Sequence, residues 1–532
     1  MADKVSTGRI PREILDFFRS PGGHSLIIKG DAGTGKTTLA LQLIEELATE
    51  QPEYYLSMRV SDEALFRQFP WLREKARRNE ILKAGKAFLR RTVPPERDEL
   101  DAKRREEMRV TKDLLQALTD EPASPTVVRT ELRKLEGQIE AGEITSDDDD
   151  LELCTEDGSL VLEMGTMLPE LELAYDIVEN NLPTKSLIVL DSIEALSENY
   201  GIPAQRIVTT LQRDLVEHSN TNIAYVLETS GKSLLDYLGD GIISMVNEAR
   251  SGRRVRMLVI EKMRGASVQR WKYLFTLQDG RLRVFEHDSY DDIALPTKHE
   301  PVPETGPGHI SLGFAALDKV MGGAPRGGLL LLEIGDNVPQ DMVRWFETNL
   351  VLDQLSKHRG AVWFPQHSLD YAHLDKQIRG MVGLDRPSDY LSVLDTGKQS
   401  GQEAAFVRVI EGEDAMHDLR WDQMRYQLSG AKGPYVGILG FDAIEDTYGR
   451  GAMPRVMPFI DSMRRGQNVI VAEATSISAS LSQLSHQAKM HLKLESIDGT
   501  VLICGQKPFT AYYHMERRLD GGVLRPVLVP LL

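Results

Sequence analysis

The chain contains little of the chemistry on which disulfide frameworks and metal centres depend. Its 532 residues include only two cysteines, Cys154 and Cys504, which lie far apart in the sequence. A disulfide framework or a cysteine-based metal site is therefore implausible. The 12 histidines show no H-E-x-x-H or similar metal spacing, and no G-x-S-x-G nucleophile motif occurs. These absences argue against zinc-dependent and serine-nucleophile chemistry.

Membrane segments and a general positive charge are also missing. No run of about 18 apolar residues occurs, and the first nine residues lack the apolar core of a signal peptide. Acidic side chains outnumber basic ones by 80 to 63, which gives a net charge of −17. Phosphate contacts to nucleic acids need a clustered positive surface. We therefore expect a cytoplasmic protein with no membrane span, and direct DNA binding is disfavoured.

What the chain does contain is a complete phosphate-binding loop. Residues 30–37 read G-D-A-G-T-G-K-T, which matches G-x-x-x-x-G-K-[ST], between an apolar run and a helical pattern. The backbone N–H groups of such a loop converge on phosphates, Lys36 reaches the outer phosphates, and the Thr37 hydroxyl can ligate Mg²⁺. We expect ATP and Mg²⁺ as cofactors. The predicted nucleotide-binding residues are Gly30, Asp31, Ala32, Gly33, Thr34, Gly35, Lys36, Thr37 and Thr38.

A second element of the site is an apolar strand that ends in a carboxylate. Residues 187–190 are aliphatic and lead directly to Asp191. Such a strand delivers a carboxylate beside the loop, where it can hold Mg²⁺ directly or through water. Thr37 and Asp191 are therefore the predicted metal ligands. Ser192 could support the metal shell, and Glu194 could cap the next turn.

The composition divides the chain into two α/β domains. Residues 288–308 contain Pro296, Pro301, Pro303 and Pro307 and are typical of an extended linker. On either side, short β-branched runs alternate with longer helical patterns, which predicts parallel sheets covered by helices. We expect an ATP-binding domain over 1–287 and a second domain over 309–532. A charged helical insertion is expected at about 72–163, with an acidic stretch at 147–150.

The two domains repeat the same pattern, but the second copy has lost the phosphate site. Its counterpart of the loop, residues 335–342, carries Asp341 where Lys36 stands and Met342 where Thr37 stands. Pro339 removes a backbone N–H from the cradle. Repulsion would replace attraction for a triphosphate there. We expect the second domain to be degenerate and to have structural and interaction roles only.

These features resemble the RecA/KaiC superfamily of P-loop ATPases. The resemblance extends to the K-x-R-G turn at 262–265 and to residues 309–318, which look like the start of a KaiC-like domain. It implies two such α/β domains with mostly parallel central sheets covered by helices. Members build rings or filaments with nucleotide between subunits. The resemblance implies a ring-like homo-oligomer in which Lys262 and Arg264 reach, in trans, the γ-phosphate bound by a neighbour.

The chain departs from that superfamily after the second strand. KaiC-like domains place two adjacent glutamates there, one of which activates water, but this chain has Arg59 and Val60. Neither side chain can accept a proton, and losing such a base removes a factor of about 10²–10⁴ in rate. Either Asp62, Glu63 or Glu194 substitutes as the catalytic residue, or hydrolysis is slow. Slow hydrolysis would suit a switch better than a motor.

Residues 10–18, 23–30, 55–61 and 264–277 resemble, more closely, archaeal GvpD-type proteins. The resemblance implies a P-loop regulator that represses gas vesicle genes by acting on a partner transcription activator. It also implies functional arginine-rich regions, for which the candidates are Arg90, Arg91, Lys103, Arg104 and Arg105, and further along Arg250, Arg253, Arg254 and Arg256. Two other hypotheses remain open, a RecA-related DNA recombination or repair ATPase and a KaiC-like autokinase. The acidic balance counts against the first, and the missing glutamates and single intact site against the second.

Overall fold

The computed structural model describes residues 10–57, 62–72, 169–285, 297–396 and 404–532. These residues belong to two units. The first unit lies within Met1–Glu248 and Arg256–Val284, and the second within Ala249–Val255 and Phe285–Leu532. Apart from Leu72, the helical insertion predicted at 72–163 lies outside the described residues, as does the first part of the predicted linker, 288–296.

The first unit is built on an eight-stranded sheet with the strand order β2-β3-β4-β1-β5-β6-β7-β8. Its strands are β1 (Ser25–Gly30), β2 (Glu53–Ser57), β3 (Leu187–Asp191), β4 (Asn222–Leu227), β5 (Gly241–Arg250), β6 (Arg253–Met263), β7 (Lys272–Thr276) and β8 (Arg283–Val284). The five strands from β2 to β5 run parallel, and β7 is antiparallel to both β6 and β8. The central strands are apolar runs buried on both faces, as expected for a parallel sheet covered by helices.

Helices cover both faces of this sheet. They are α1 (Arg12–Arg19), α2 (Lys36–Leu47), α3 (Asp62–Gln68), α4 (Pro169–Asn181), α5 (Ile193–Tyr200) and α6 (Ala204–Leu211), and α6 continues as a π-helix over Gln212–His218. Apolar residues of α1, α2 and α3 pack on one face, and those of α4, α5 and α6 pack on the other. Burial of these apolar stripes against the sheet stabilises the three layers.

The second unit contains a ten-stranded sheet with the order β14-β13-β12-β15-β16-β11-β17-β18-β19-β20. The strands of the unit are β9 (His309–Ile310), β10 (Ala324–Pro325), β11 (Leu329–Ile334), β12 (Arg359–Phe364), β13 (Leu391–Asp395), β14 (Val407–Val409), β15 (Lys432–Gly440), β16 (Val469–Thr475), β17 (Met490–Ile497), β18 (Thr500–Lys507), β19 (Tyr513–Asp520) and β20 (Val523–Pro530). Its helices are α7 (Ala315–Met321), α8 (Gln340–Ser356), α9 (Tyr371–Gln377), α10 (Ala415–Asp418), α11 (Trp421–Gln427), α12 (Phe441–Tyr448), α13 (Met453–Arg465) and α14 (Leu481–Gln487). The strands from β14 to β17 run parallel.

The same strand order occurs in both units. The first unit has the strand order β2-β3-β4-β1-β5-β6-β7. Each of these strands corresponds, in the same position, to one strand of the series β12-β15-β16-β11-β17-β18-β19 in the second unit. The predicted α/β class, with large and mostly parallel sheets flanked by helices, is confirmed. In both units the loop after the central strand, β1 or β11, enters the helix that follows.

The described part of the predicted linker, 297–308, contains no helix and a single isolated β-bridge, and it is anchored within the second unit. The backbone N–H groups of Thr297 and Lys298 donate to the Gly522 carbonyl at 2.9 and 3.2 Å. Glu304 forms an ion pair with Lys357 at 3.2 Å. None of the helices in the described ranges is long and apolar enough to cross a membrane.

Candidate functional site

The phosphate-binding motif forms the turn between β1 and α2. Two of its glycines are required by the backbone. A Cβ on Gly30 would lie 2.3 Å from the Met245 carbonyl oxygen, and Gly35 precedes α2 with a φ of 105°. L-residues with side chains rarely adopt that φ. Asp31, Ala32 and Gly33 are exposed at the tip of the loop. The tip of the turn is therefore open to solvent just before the start of a 12-residue helix.

Lys36 lies inside this turn. Its Nζ donates to the carbonyl oxygens of Gly30 at 2.7 Å and Asp31 at 2.9 Å, and only 6% of the residue is exposed. The Thr34 hydroxyl donates to the same Asp31 carbonyl at 2.9 Å. The ammonium is thus held at the centre of the cradle. Together with the N-terminus of α2, it provides the positive charge that a polyphosphate requires.

Asp191 lies at the end of β3, directly beside the start of α2. Its Oδ2 accepts hydrogen bonds from the Thr37 hydroxyl at 2.7 Å and from the Tyr55 hydroxyl at 2.8 Å. Burial raises the pKa of Asp191, and these two hydrogen bonds oppose that rise. Burial and the neighbouring Asp191 carboxylate raise the pKa of Tyr55 well above its usual value. Tyr55 therefore serves as a donor to the carboxylate and cannot accept a proton from water.

Thr37 and Asp191 fit the Mg²⁺ ion that a P-loop site usually holds. Both offer oxygen ligands, which Mg²⁺ prefers, and they lie within hydrogen-bond distance at the mouth of the cradle. Mg²⁺ is commonly held by one or two protein ligands together with substrate phosphates. In the parts of the chain that the structure describes, no group of three or more His, Cys, Asp or Glu side chains is placed to hold a metal. Thr37 and Asp191 would hold Mg²⁺ together with the nucleotide.

Comparison with known families identifies this arrangement. Residues 14–261 match the family described as GvpD gas vesicle protein, P-loop domain. The first unit carries a GvpD-type P-loop domain. Protein GvpD2 of Halobacterium salinarum is 25% identical over 341 residues, which cover 62% of this chain and 56% of GvpD2. Protein GvpD1 of the same organism is 24% identical over 396 residues, which cover 73% of this chain and 62% of GvpD1. The chain thus spans about three-fifths of the length of the curated relatives it matches.

In the GvpD-type domain, Ser192 and Glu194 support the backbone. The Ser192 hydroxyl caps α5 by accepting from the Ala195 N–H at 3.4 Å. Glu194 Oε1 accepts from the Glu228 N–H at 2.8 Å, which fixes the loop that follows β4. Neither contact is the metal-shell or catalytic role expected from the sequence. Glu194 as a catalytic residue stays a prediction, and the geometry favours a positioning role.

Lys262 and Arg264 lie at one end of the strands, and their own phosphate loop lies at the opposite end. Parallel pairing places Gly241 beside Leu26 and Met245 beside Gly30, and the Arg264 N–H donates to the Asp240 carbonyl at 2.9 Å. Four residues of strand separate that level from the loop, which is about 13 Å. The backbone of this turn is therefore remote from the domain's own cradle. Such a position is compatible with action on a neighbouring subunit.

These two side chains are held by the loop before β5. Lys262 Nζ donates to the carbonyl oxygens of Asp236 at 3.1 Å and Gly239, and Arg264 pairs with the Asp240 carboxylate at 3.3 Å. Burial, with a contribution from the nearby Arg264, lowers the pKa of Lys262.

A cation that the sequence did not single out for the nucleotide site touches the loop itself. Arg256, near the start of β6, is 6% exposed and donates from its guanidinium to the Gly33 carbonyl at 2.9 Å. Arg253, three residues earlier, belongs to the second unit, where it is buried and donates to the carbonyls of Thr510 and Gly505. Both were expected to belong to an arginine-rich partner region, but the structure engages them internally. The signal in the sequence was an arginine within the otherwise apolar run from Val255 to Ile260.

Several predicted residues cannot be placed in the site. Arg59 and Val60 lie outside the described residues, as do the basic residues from Arg90 to Arg105. Glu63 and Asp62 belong to the first turn of α3, and their catalytic role stays a prediction.

The matching loop of the second unit has a different character. Asp341 is 61% exposed at its side chain and pairs with Arg344 at 3.2 Å, one helical turn along α8. Met342 is 1% exposed and packs into the core. Pro339 occupies the position before α8. The start of this helix thus carries an exposed carboxylate where the GvpD-type domain carries an enclosed ammonium.

Proposed function

We propose that the protein is an ATP-binding regulator of the GvpD type. The observation that carries this proposal is the cradle of the first unit, in which Lys36 is enclosed by loop carbonyls and Thr37 contacts Asp191 at 2.7 Å. ATP would bind with Mg²⁺ at residues 30–38. The second unit, with Asp341 in place of the lysine, would bind no nucleotide and would act as a structural and interaction platform.

Hydrolysis is proposed to be slow. The chain carries Arg59 and Val60 where a water-activating glutamate is expected. The Tyr55 hydroxyl beside Asp191 stays protonated because its pKa is raised, so it cannot accept a proton. A slow site holds ATP long enough for the bound state to act as a signal. This behaviour suits a regulatory switch that changes its affinity for a partner protein.

A homo-oligomer with nucleotide between subunits is part of the proposal. Lys262 and Arg264 lie at the end of the strands remote from their own phosphate loop. There they would contact the γ-phosphate of the ATP bound by a neighbouring subunit. The turn that holds Lys262 exposes Leu234 and Tyr237, which are 67% and 77% accessible. Exposed apolar side chains beside a cationic pair are suited to a contact between subunits.

The proposed partner is a transcription activator, on which the protein would act in the cytoplasm by protein contact. This part of the proposal extends what the resemblance to GvpD-type proteins implies, and the matches to the GvpD P-loop domain and to GvpD1 and GvpD2 support that resemblance. The net charge of −17 supports action through a protein rather than through DNA.

The division of labour between the units is tested by two matched substitutions. We expect Lys36→Ala to abolish binding of a fluorescent ATP analogue, because it removes the ammonium from the cradle. Asp341→Ala changes the equivalent position of the second unit and should leave binding unchanged. Equal losses of affinity in both variants would refute the proposal.

The contact between subunits is tested by mixing variants. Lys36→Ala alone, and the double variant Lys262→Ala with Arg264→Ala alone, should both lack hydrolysis. A mixture should recover part of the activity, since an intact cradle then meets an intact cation pair. No recovery, together with a monomeric mass in ATP, would argue against action in trans.

A further inference from the structure

A carboxylate that the sequence did not single out follows the strand at the centre of the nucleotide site. Strand β4 lies between β3, which ends in Asp191, and β1, which ends at the phosphate loop. Glu228 is the first residue after β4. The next residue, Thr229, accepts a hydrogen bond from the Gly30 N–H at 3.0 Å. Glu228 therefore leaves the sheet between the metal-binding carboxylate and the cradle.

The alternation of side chains along β4 indicates the direction of Glu228. Ala224 and Val226 face the core layer that contains Leu39 and Leu43 of α2, whereas Tyr225 and Leu227 face the opposite layer. Continued for one residue, this alternation places Glu228 on the side of α2 and its N-terminus. The residue is exposed, so its carboxylate is open to solvent. The register of β3 and β4 places Asp191 beside Val226, which lies two residues before Glu228 on the neighbouring strand. Burial raises the pKa of Asp191, and the charge of Glu228 adds to that rise.

The position of Glu228 is fixed by its backbone. Its N–H donates to Glu194 Oε1 at 2.8 Å, so Glu194 acts as a positioning residue for the start of this loop. With one end of the segment held by Glu194 and the other by Gly30, the Glu228 side chain extends from an ordered backbone. Such support is what a group that must meet a reacting water needs.

The degenerate unit lacks this carboxylate. In the strand register of the first unit, Lys29 lies opposite Leu227, and in that of the second unit Ile334 lies opposite Thr475. Lys29 and Ile334 are each the last strand position before the glycine that opens the phosphate loop or its counterpart. By this register Ser476 is the counterpart of Glu228. Its hydroxyl donates to Asp336 in the loop itself, which shows that this position reaches the loop. The acidic residue thus occurs only in the unit with an intact cradle.

We propose that Glu228 is the proton acceptor for the attacking water in the slow hydrolysis of ATP, an inference that rests on the proposed function. The water oxygen forms a bond to the γ-phosphorus, and the bond from that phosphorus to the β–γ bridging oxygen breaks. The electron pair of the broken bond stays with ADP. The proton of the water passes to the Glu228 carboxylate and from there to solvent, which leaves ADP and inorganic phosphate.

The test compares the full-length protein with Glu228→Gln, Glu228→Asp and a control variant, Glu217→Gln. Glu217 is an exposed glutamate on the π-helix that precedes β4, at the other end of the same strand. Affinity for ATP is measured by titration with a fluorescent analogue, and hydrolysis by single-turnover release of labelled phosphate from Mg²⁺-ATP. Glu228→Gln should bind ATP as the unmodified protein does but lose about 10²–10⁴-fold in the hydrolysis rate constant.

The other variants and outcomes separate this proposal from the proposed function. Glu228→Asp should keep part of the rate, and Glu217→Gln should keep all of it. Unchanged hydrolysis by Glu228→Gln overturns the proposal while ATP binding stands. The proposal is also overturned if Glu228→Gln loses both ATP binding and hydrolysis, or if the unmodified protein binds ATP without cleaving it. Failure of the unmodified protein to bind ATP would instead overturn the proposed function.

Discussion

Replacing Tyr55 by phenylalanine isolates one hydrogen bond to the buried carboxylate of the site. Tyr55 is 3% exposed, and its hydroxyl donates to Asp191 Oδ2 at 2.8 Å. Phenylalanine keeps the ring in the same core layer and removes only the hydroxyl, so no large cavity forms. Asp191 would retain the bond from Thr37.

The expected cost follows from the charge of the acceptor. A hydrogen bond to an ionised group contributes about 1.5–3 kcal/mol to stability, more than a bond between neutral groups. We therefore expect Tyr55→Phe to lower the free energy of unfolding of the first unit by about 1.5–3 kcal/mol without ligand.

Tyr225 provides a matched control. It lies on β4, two strands from β2, and is 0% exposed. Its hydroxyl has no hydrogen-bond partner among the residues that the structure describes. Tyr225→Phe makes the same chemical change at a similar depth, but it removes a buried polar group that is not satisfied there. It should be neutral or stabilising.

The two variants are compared by hydrogen–deuterium exchange of peptides from β3 and β4 in increasing urea. This readout follows the first unit alone, which matters because a chain with two units need not unfold in a single step. The reasoning would be refuted by equal destabilisation in both variants, or by a larger loss in Tyr225→Phe.

Two further predictions concern charged groups within each unit. Arg256→Ala removes the bond to the Gly33 carbonyl at 2.9 Å and should weaken ATP binding about tenfold; exposed Arg254→Ala should not, and titration with the fluorescent analogue compares them. In the second unit, burial raises the pKa values of Glu473 and Glu347, which lie against each other. Groups with raised folded pKa values stabilise most at low pH, and this stability is lost as pH rises through the folded pKa. Urea unfolding at a series of pH values above the usual glutamate pKa of about 4.3 should therefore show a loss of unfolding free energy for the unmodified protein that Glu473→Gln reduces; parallel curves would contradict this.

The parts of the site that the sequence could predict are those held together by local chain continuity. The phosphate loop is one uninterrupted turn between a strand and a helix, so its spacing in the sequence determines its geometry. The role of Asp191 could be predicted for a similar reason, because this residue ends an apolar strand. The α/β class follows from the alternation of strand-like and helical patterns along both halves.

The parts that the sequence missed depend on which strands become neighbours. Tyr55 lies 136 residues before Asp191, and Arg256 lies 223 residues after Gly33. Only the order of strands in the folded sheet brings these pairs together. Glu228 was missed for the same reason, since nothing nearby in the sequence indicates that β4 inserts between the two strands of the site. A charged or hydroxyl side chain at a buried strand position was the available signal, but it does not identify its partner.

A comparison of the two units separates the frame of the site from its chemistry. In the second unit, Glu445 accepts from the Ser480 N–H at 2.8 Å, as Glu194 accepts from the Glu228 N–H at 2.8 Å in the first. Glu194 lies in the first turn of α5, the helix after β3, and holds the loop that follows β4. Glu445 lies in α12, the helix after β15, and holds the loop that follows β16.

This frame is present whether or not the loop can hold a phosphate. The bond made by Glu194 therefore belongs to the architecture that the two units share. What distinguishes the units is a small set of groups at the mouth of the cradle, Lys36 against Asp341 and Glu228 against Ser476. If these groups carry the difference in function, a nucleotide should alter exchange in the first unit's loops directly. Any response in the second unit should then require the first unit's Lys36.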